Sequence, residues 1–175
     1  MPPSLGTVQA FALSSGAFAP GELLPLEYSC FGDNASPALD WAGTPSDAES
    51  LVLTVTDPDA PEPDFVHWLV YNIPANSTGL PPALPAVGVL DDGALQGTND
   101  FVFLSTTEFA SGAPVHVLGW DGPCPPEEHR YVFRLYALDT LLDLAPGATL
   151  VAVSEAMQGH VLAVAELEAR FTPPR

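Results

Sequence analysis

The stretch that decides the fold is "SLVLTVTDPDAP" (50–61), followed by "HWLVYNIP" (67–74). Apolar residues alternate along the first run, so they share one face of a predicted strand, and Asp57 falls on that face at its end. The second run is almost wholly apolar, which is typical of a central strand that is covered on both faces. Asp57 and His67 therefore mark the ends of two predicted buried strands.

The run "HRYVFRLYAL" (129–138) predicts a third strand of the same kind. His129 and Tyr131 lie on one face by parity, and Arg130 lies on the other. Proline, glycine and aspartate mark the connecting turns, which is typical of an all-β protein. Weaker strands are predicted at 6–13, 26–29 and 115–120, and residues 81–100 are predicted to form a long, ordered loop.

One helix is predicted near the C-terminus. Thr149 can cap "LVAVSEAMQGH" (150–160), and Gly159 lies near the expected end. The alternation that follows predicts a closing strand from 161 to 171. A continuous helix through residue 168 is the alternative, because Ala, Leu and Glu are good helix formers.

Composition limits the function classes. The chain has 175 residues, which predicts one domain (1–175), and its formal charge is −18, with four arginines and no lysine. This balance disfavours nucleic acids and anionic membranes as partners. The sequence has neither an apolar run of membrane-spanning length nor a recognisable signal peptide, which predicts a cytoplasmic protein. A secreted chain trimmed of its leader would look the same.

Asp57, His67 and His129 sit at strand ends beside proline-rich loops, so they can converge on one rim of a sandwich. A carboxylate near two imidazoles favours their charged forms, and a free backbone N–H at Gly122 would complete an anion site. Each residue also has a structural interpretation: a turn residue for Asp57, and buried structural histidines for the two imidazoles. His116 and His160 are interpreted as structural only.

Taken together, the motifs resemble the phosphatidylethanolamine-binding protein family, in its bacterial and archaeal Raf-kinase-inhibitor-like branch. The motifs are "DPDAP" (57–61), "HWLVYNIPA" (67–75), "GPCPP" (122–126) and "HRYVF" (129–133). The resemblance implies a mainly β fold, a sandwich with a large central antiparallel sheet and one or two short helices near the C-terminus. It also implies a small pocket for phosphate-like anions or the phosphoryl head groups of lipids and nucleotides.

The resemblance carries specific roles onto this chain. The ligand-binding residues it implies are Asp57, His67, Gly122, Pro123, His129 and Tyr131. Asp59 and Pro61 are expected to shape the turn, with a cis peptide bond before Pro61. No cofactor and no metal ion are expected.

The chain also departs from the family pattern. An insertion at about 102–118, called here the insertion segment, enters the loop that walls the pocket. Phe31 and Phe171 replace an acid and a tyrosine that are usual in the family, and Glu127 and Glu128 add negative charge near the site. Both cysteines fall in loops that could meet, so a Cys30–Cys124 disulfide is one state, and two free thiols are the favoured state in a cytoplasmic protein.

Three functions follow from these observations. The first is a non-catalytic binding protein for a small anionic ligand. The second, which the resemblance suggests, is an inhibitor of a kinase or serine protease that acts through surface contacts, with the insertion segment as a candidate surface. The third and least favoured is a hydrolase that uses Asp57, His67 and His129, because no nucleophile motif is present. The resemblance also admits a homodimer.

Overall fold

Two antiparallel sheets organise the computed structural model, which describes residues 9–175. The smaller sheet has the strand order β1-β2-β5, and the larger has the order β6-β4-β3-β7-β8. The strands are β1 (Ala12–Ser14), β2 (Leu39–Ala42), β3 (Ser50–Asp57), β4 (Phe65–Pro74), β5 (Gly79–Leu80), β6 (Leu95–Gln96), β7 (His129–Leu138) and β8 (Val161–Phe171). The predicted mainly β sandwich with a large central antiparallel sheet is confirmed.

The large sheet is covered on both faces. One face packs against the small sheet through a core that contains Leu53, Trp68 and Phe133. The opposite face carries a second apolar cluster, in which Leu69 and Tyr71 pack with residues of the helix. This double burial explains why β4 reads as a continuous apolar run instead of an alternating one.

The helix α1 (Leu150–Met157) begins where the sequence predicts, with the Thr149 side chain accepting a hydrogen bond from the Ala152 N–H. Gly159 follows with φ of +79°, a conformation that ends helices. The chain then enters β8, so the alternative of a helix through residue 168 is wrong. Within residues 9–175, no helix combines the length and apolarity needed to cross a bilayer.

The weaker strand predictions are mostly wrong. The first strand is confined to Ala12–Ser14, and residues 6–8 of the predicted segment lie outside the described residues. Leu26–Tyr28 is a 3₁₀ turn, because the carbonyls of Pro25 and Leu26 bond to N–H groups three residues on. Residues 115–120 bond to scattered loop partners and contain Gly119 at φ of +80°, which interrupts an extended ladder. Residues 81–100 form the expected loop, broken by β6.

A β-bulge interrupts the pairing of β3 with β4. Val55 lies opposite Trp68 and Thr56 lies opposite Val66, so His67 has no partner residue on β3. A bulge of this kind locally breaks the alternation of side chains. His67 therefore lies on the same side of the sheet as Trp68, instead of on the opposite side as strict parity would require.

Cys30 and Cys124 form a disulfide, with Cα atoms 5.3 Å apart. The favoured prediction of two free thiols is therefore wrong. The two loops meet because the Cys30 N–H also donates to the Pro123 carbonyl, 3.0 Å away. The bridge joins the turn after Leu26–Tyr28 to the "GPCPP" loop that precedes β7.

Removing this bridge should destabilise the fold. Replacing both cysteines by alanine should lower the free energy of unfolding by about 2–4 kcal/mol, because the bond closes a long loop in the unfolded chain. Urea denaturation of the double variant and the parent, both without reductant, measures the difference. An unchanged unfolding midpoint would show that the bridge contributes nothing to stability.

Candidate ligand-binding pocket

A cavity of about 300 Å³ lies at the end of the large sheet, where β3 ends and β4 and β7 begin. Its floor carries Asp57, His67, His129 and Tyr131. The remaining lining is mainly apolar and consists of Ala60, Pro61, Phe65, Phe101, Leu104, Phe109, Cys124, Pro125 and Pro126. The carboxylate and both imidazoles predicted from the strand ends therefore face one space.

Asp57 and His129 form a buried pair on the cavity floor. The Asp57 carboxylate lies 2.7 Å from His129 Nδ1, and both side chains are less than one-tenth exposed. A carboxylate accepts hydrogen bonds, so Nδ1 carries the donated hydrogen. This arrangement fixes the orientation of the ring and leaves Nε2 available to another partner.

His67 is held by the backbone instead of by a carboxylate. Its Nδ1 lies 2.6 Å from the carbonyl oxygen of Asp121, which can only accept a hydrogen bond. The hydrogen of the neutral ring is therefore on Nδ1, and Nε2 carries none, as in His129. Burial lowers the pKa of His67 well below its usual value. The imidazole is therefore neutral near neutral pH, which differs from the charged form that the sequence analysis favours for this ring.

Asp121 was not singled out by the sequence, although it organises the pocket wall. Its carboxylate accepts hydrogen bonds from Asn34 Nδ2 at 2.5 Å and from the His116 N–H at 2.8 Å. Burial raises the pKa of Asp121 to about 6. Its N–H donates to the His67 carbonyl, so one residue ties β4 to two loops. The only sequence signal was an acid beside "GPCPP".

Gly122 and Pro123 lie behind the cavity and do not line it. The Gly122 N–H donates to Asn34 Oδ1 at 2.7 Å, so it is not the free donor expected from the sequence. A Cβ at position 122 would lie 1.9 Å from the Tyr28 carbonyl oxygen. Close backbone packing, rather than ligand contact, therefore requires glycine here.

Tyr131 contributes the one orphaned polar atom of the floor. Its hydroxyl is buried and makes no hydrogen bond of normal geometry among residues 9–175, although the Asp57 carboxylate lies near enough to contribute a weak one. Burial, followed by the nearby charge of Asp57, raises the pKa of Tyr131, so the hydroxyl stays protonated. The ring also packs edge to face on His67, with centroids 5.1 Å apart. A buried donor without a partner is an unusual and costly feature.

The "DPDAP" turn is braced from outside the cavity. Asp59 accepts hydrogen bonds from the Arg130 N–H, Nε and Nη2, and these bonds lower the pKa of Asp59 to about 2. Arg130 thus points away from the floor, as parity predicted. Pro61 lines the cavity, but none of the described peptide bonds is cis, so the expected cis bond before Pro61 is wrong.

The insertion segment reaches the cavity. Asn99 caps the 3₁₀ turn Asp100–Phe103, and Asp100 accepts a hydrogen bond from the Val66 N–H, which fixes the start of the segment to β4. Leu104 and Phe109 then extend over the lining. Phe109 packs edge to face on Phe101, with ring centroids 5.8 Å apart.

The other departures from the family pattern are also accommodated. Phe31 and Phe171 stack on each other, with centroids 6.0 Å apart. Glu128 bonds to Arg170 and Thr172, which directs its charge into a surface pair. Among residues 9–175, no group of three or more His, Cys, Asp or Glu side chains is arranged to hold a metal ion.

The two antiparallel sheets and the small cavity with a polar floor at the end of the larger sheet define a β-sandwich with an end cavity. The sequence model of the phosphatidylethanolamine-binding protein family matches residues 14–172. The chain belongs to this family, as the motifs predicted.

Relatives and solved structures agree with this assignment. The UPF0098 protein of Methanothermobacter thermautotrophicus is 49% identical over 156 residues, which cover 89% of this chain and 94% of that protein. The crystal structure of Escherichia coli YbcL, described as a member of the mammalian family, has a TM-score of 0.80 at 31% identity and covers 95% of this chain and 100% of YbcL. The family homolog CT736 of Chlamydia trachomatis has a TM-score of 0.77 at 36% identity, with 94% and 99% covered.

The packing at Gly122 gives a direct test of how the pocket wall is built. Gly122→Ala should lower the free energy of unfolding by about 1–3 kcal/mol, because the added methyl group collides with the Tyr28 backbone. Urea denaturation measures the loss. Gly16→Ala is the matched control, since within residues 9–175 no atom beyond its chain neighbours lies within 4 Å of an added Cβ, and it should be neutral or slightly stabilising. Equal effects at both positions would contradict this account of the wall.

Proposed function

We propose that this protein is a non-catalytic binding protein whose pocket holds the phosphoryl or similar anionic group of a small ligand. The observation that carries the proposal is the floor of the cavity, where the Asp57–His129 pair, His67 and the unpartnered Tyr131 hydroxyl face one space. The hydroxyl can donate to an anionic oxygen, which would satisfy a buried group that otherwise lacks a partner.

The protonation of His67 gives this site its expected pH dependence. Without ligand, burial keeps the ring neutral. A bound anion adds a nearby negative charge, which favours the protonated ring, so binding takes up a proton. By linkage, proton uptake on binding means that affinity rises as pH falls.

Binding is favoured over catalysis because the pocket supplies no free thiol nucleophile. Cys124, the candidate thiol on the cavity wall, is bonded to Cys30. Asp57, His67 and His129 could serve as acid–base groups, and a hydrolase stays the least favoured alternative.

NMR titration with phosphate and with sulfate at about pH 5.5 and pH 8 tests the proposal. Sulfate keeps the same charge over this pH range, so a change in its affinity reports proton uptake by the protein and not by the ligand. Both anions should bind more tightly at the lower pH, by about threefold or more for sulfate. Affinity that is equal at both pH values, or that rises with pH, contradicts the proposed role of His67.

The variant Asp57→Asn should weaken binding about tenfold, because an amide no longer fixes which nitrogen of His129 carries the hydrogen. Asp143→Asn, on the exposed surface, removes the same charge and is the matched control for the overall field. If the two variants weaken binding equally, net charge and not the floor governs affinity.

Inhibition of a kinase or serine protease is the second candidate function, favoured by one surface feature. Val102, Phe103 and Leu104 are exposed at the start of the insertion segment, and Phe103 is 84% exposed. Large exposed apolar groups are typical of contact surfaces. Inhibition assays against a panel of kinases and serine proteases should show activity that Phe103→Ala reduces. Inhibition that survives this substitution would separate the activity from the surface.

A cytoplasmic location is also a proposal, and the disulfide bears on it. Disulfides persist mainly in oxidising compartments, with intracellular proteins of hyperthermophiles as an exception. The Cys30–Cys124 bridge therefore does not favour the cytoplasmic location that the sequence analysis predicts.

A further inference from the structure

The upper part of the cavity is apolar, although its floor is polar. Phe65, Phe101, Phe109 and Leu104 form an apolar wall of the cavity, and the three phenylalanine rings make a chain of edge-to-face contacts with centroids 5.1 and 5.8 Å apart. The volume of about 300 Å³ is roughly ten times the ~30 Å³ that one water occupies in the liquid. An inorganic anion on the floor would leave this apolar wall in contact with water.

Leu104 and Phe109 come from the insertion segment, and Phe109 lies in a hydrogen-bonded hairpin that spans residues 107–115. The Phe109 N–H donates to the Ala113 carbonyl and the Val115 N–H donates to the Thr107 carbonyl, both at 2.9 Å. Thr106 adds a hydroxyl bond to the Glu108 carbonyl. The backbone around Phe109 is thus fixed by local hydrogen bonds.

The base of this hairpin is anchored to the same residue that holds the floor. The His116 N–H donates to the Asp121 carboxylate, and the Asp121 carbonyl accepts from His67. Asn34 bonds both to Asp121 and to the Pro114 carbonyl. The hairpin and the imidazole are therefore positioned together, with Phe109 placed above the floor.

Charge gives little help to a bare anion in this protein. Three of the four arginines, Arg130, Arg134 and Arg170, are occupied in surface ion pairs with carboxylates. The chain carries a formal charge of −18, and the floor itself contains Asp57. Burial of apolar surface is therefore a source of affinity that an organic ligand can use and a bare anion cannot.

We propose that Phe109 and Leu104 of the insertion segment select phosphate monoesters that carry an aromatic or other apolar organic group. This inference rests on the proposed function of the floor. The phosphoryl group occupies the floor, and the organic group packs against Phe101 and Phe109 in place of water. The insertion segment thereby acts as a specificity element of the pocket.

Calorimetric or NMR titration with phenyl phosphate and with inorganic phosphate, at one pH and ionic strength, tests the selection. The parent should bind phenyl phosphate about tenfold more tightly than inorganic phosphate. Phe109→Ala should remove most of this preference and change the affinity for inorganic phosphate less than about twofold. Phe109→Leu, which keeps an apolar side chain, should retain part of the preference and controls for collapse of the hairpin. Phe103→Ala, an exposed phenylalanine that does not line this cavity, should leave the preference intact.

The outcomes separate this inference from the proposed function. If inorganic phosphate binds and phenyl phosphate binds no more tightly, the selection is overturned while the anion site stands. If Phe103→Ala lowers the preference for phenyl phosphate as much as Phe109→Ala does, contact with Phe109 is not the cause of that preference and the inference is overturned. If neither ligand binds the parent, the proposed function fails, and the inference fails with it.

Discussion

The pocket depends on the buried residue Asp121, which bonds to three parts of the chain at once. Its backbone N–H donates to the His67 carbonyl on β4, and its carbonyl accepts from the His67 ring. Its carboxylate accepts hydrogen bonds from the Asn34 side chain and the His116 N–H. A buried carboxylate is stable only when its oxygens are satisfied, so these donors have little freedom to move. The position of the imidazole, the wall behind it and the insertion segment above it are consequences of this one set of bonds.

The fold was predictable from the sequence where a period of two extended over many residues. The strands β3, β7 and β8 satisfy this condition, whereas β4 was recognised from a continuous apolar run, which is buried on both faces of the sheet. The strand predictions for short segments were wrong because four to six residues show too little alternation to outweigh the preference of their residues for turns. The 3₁₀ turn Leu26–Tyr28 and the loop at 115–120 are of this kind.

Parts of the site were beyond a reading of local pattern. The orientation of His67 depends on a bulge, which one extra residue creates and which alternation cannot reveal. The free donor expected at Gly122 is occupied by Asn34, 88 residues away in sequence, and the role of Asp121 depends on the same contact. The cysteine pairing likewise required two distant loops to be placed in space. The motifs identified the four residues of the floor, whereas the hydrogen bonds that these residues make depend on contacts with residues distant in sequence.

The acidity of the chain and the apolar lining of the pocket have a common physical consequence. In a protein without lysine, whose arginines are largely paired on the surface, an anion site cannot depend on permanent positive charge. The floor instead offers a tyrosine hydroxyl and imidazoles whose hydrogens are fixed by Asp57 and by the Asp121 carbonyl. Such groups discriminate by geometry and by uptake of a proton, and they attract distant anions weakly. On the proposed function, ligand selection would therefore be made at short range, by hydrogen bonds at the floor and by apolar contact with the cavity wall.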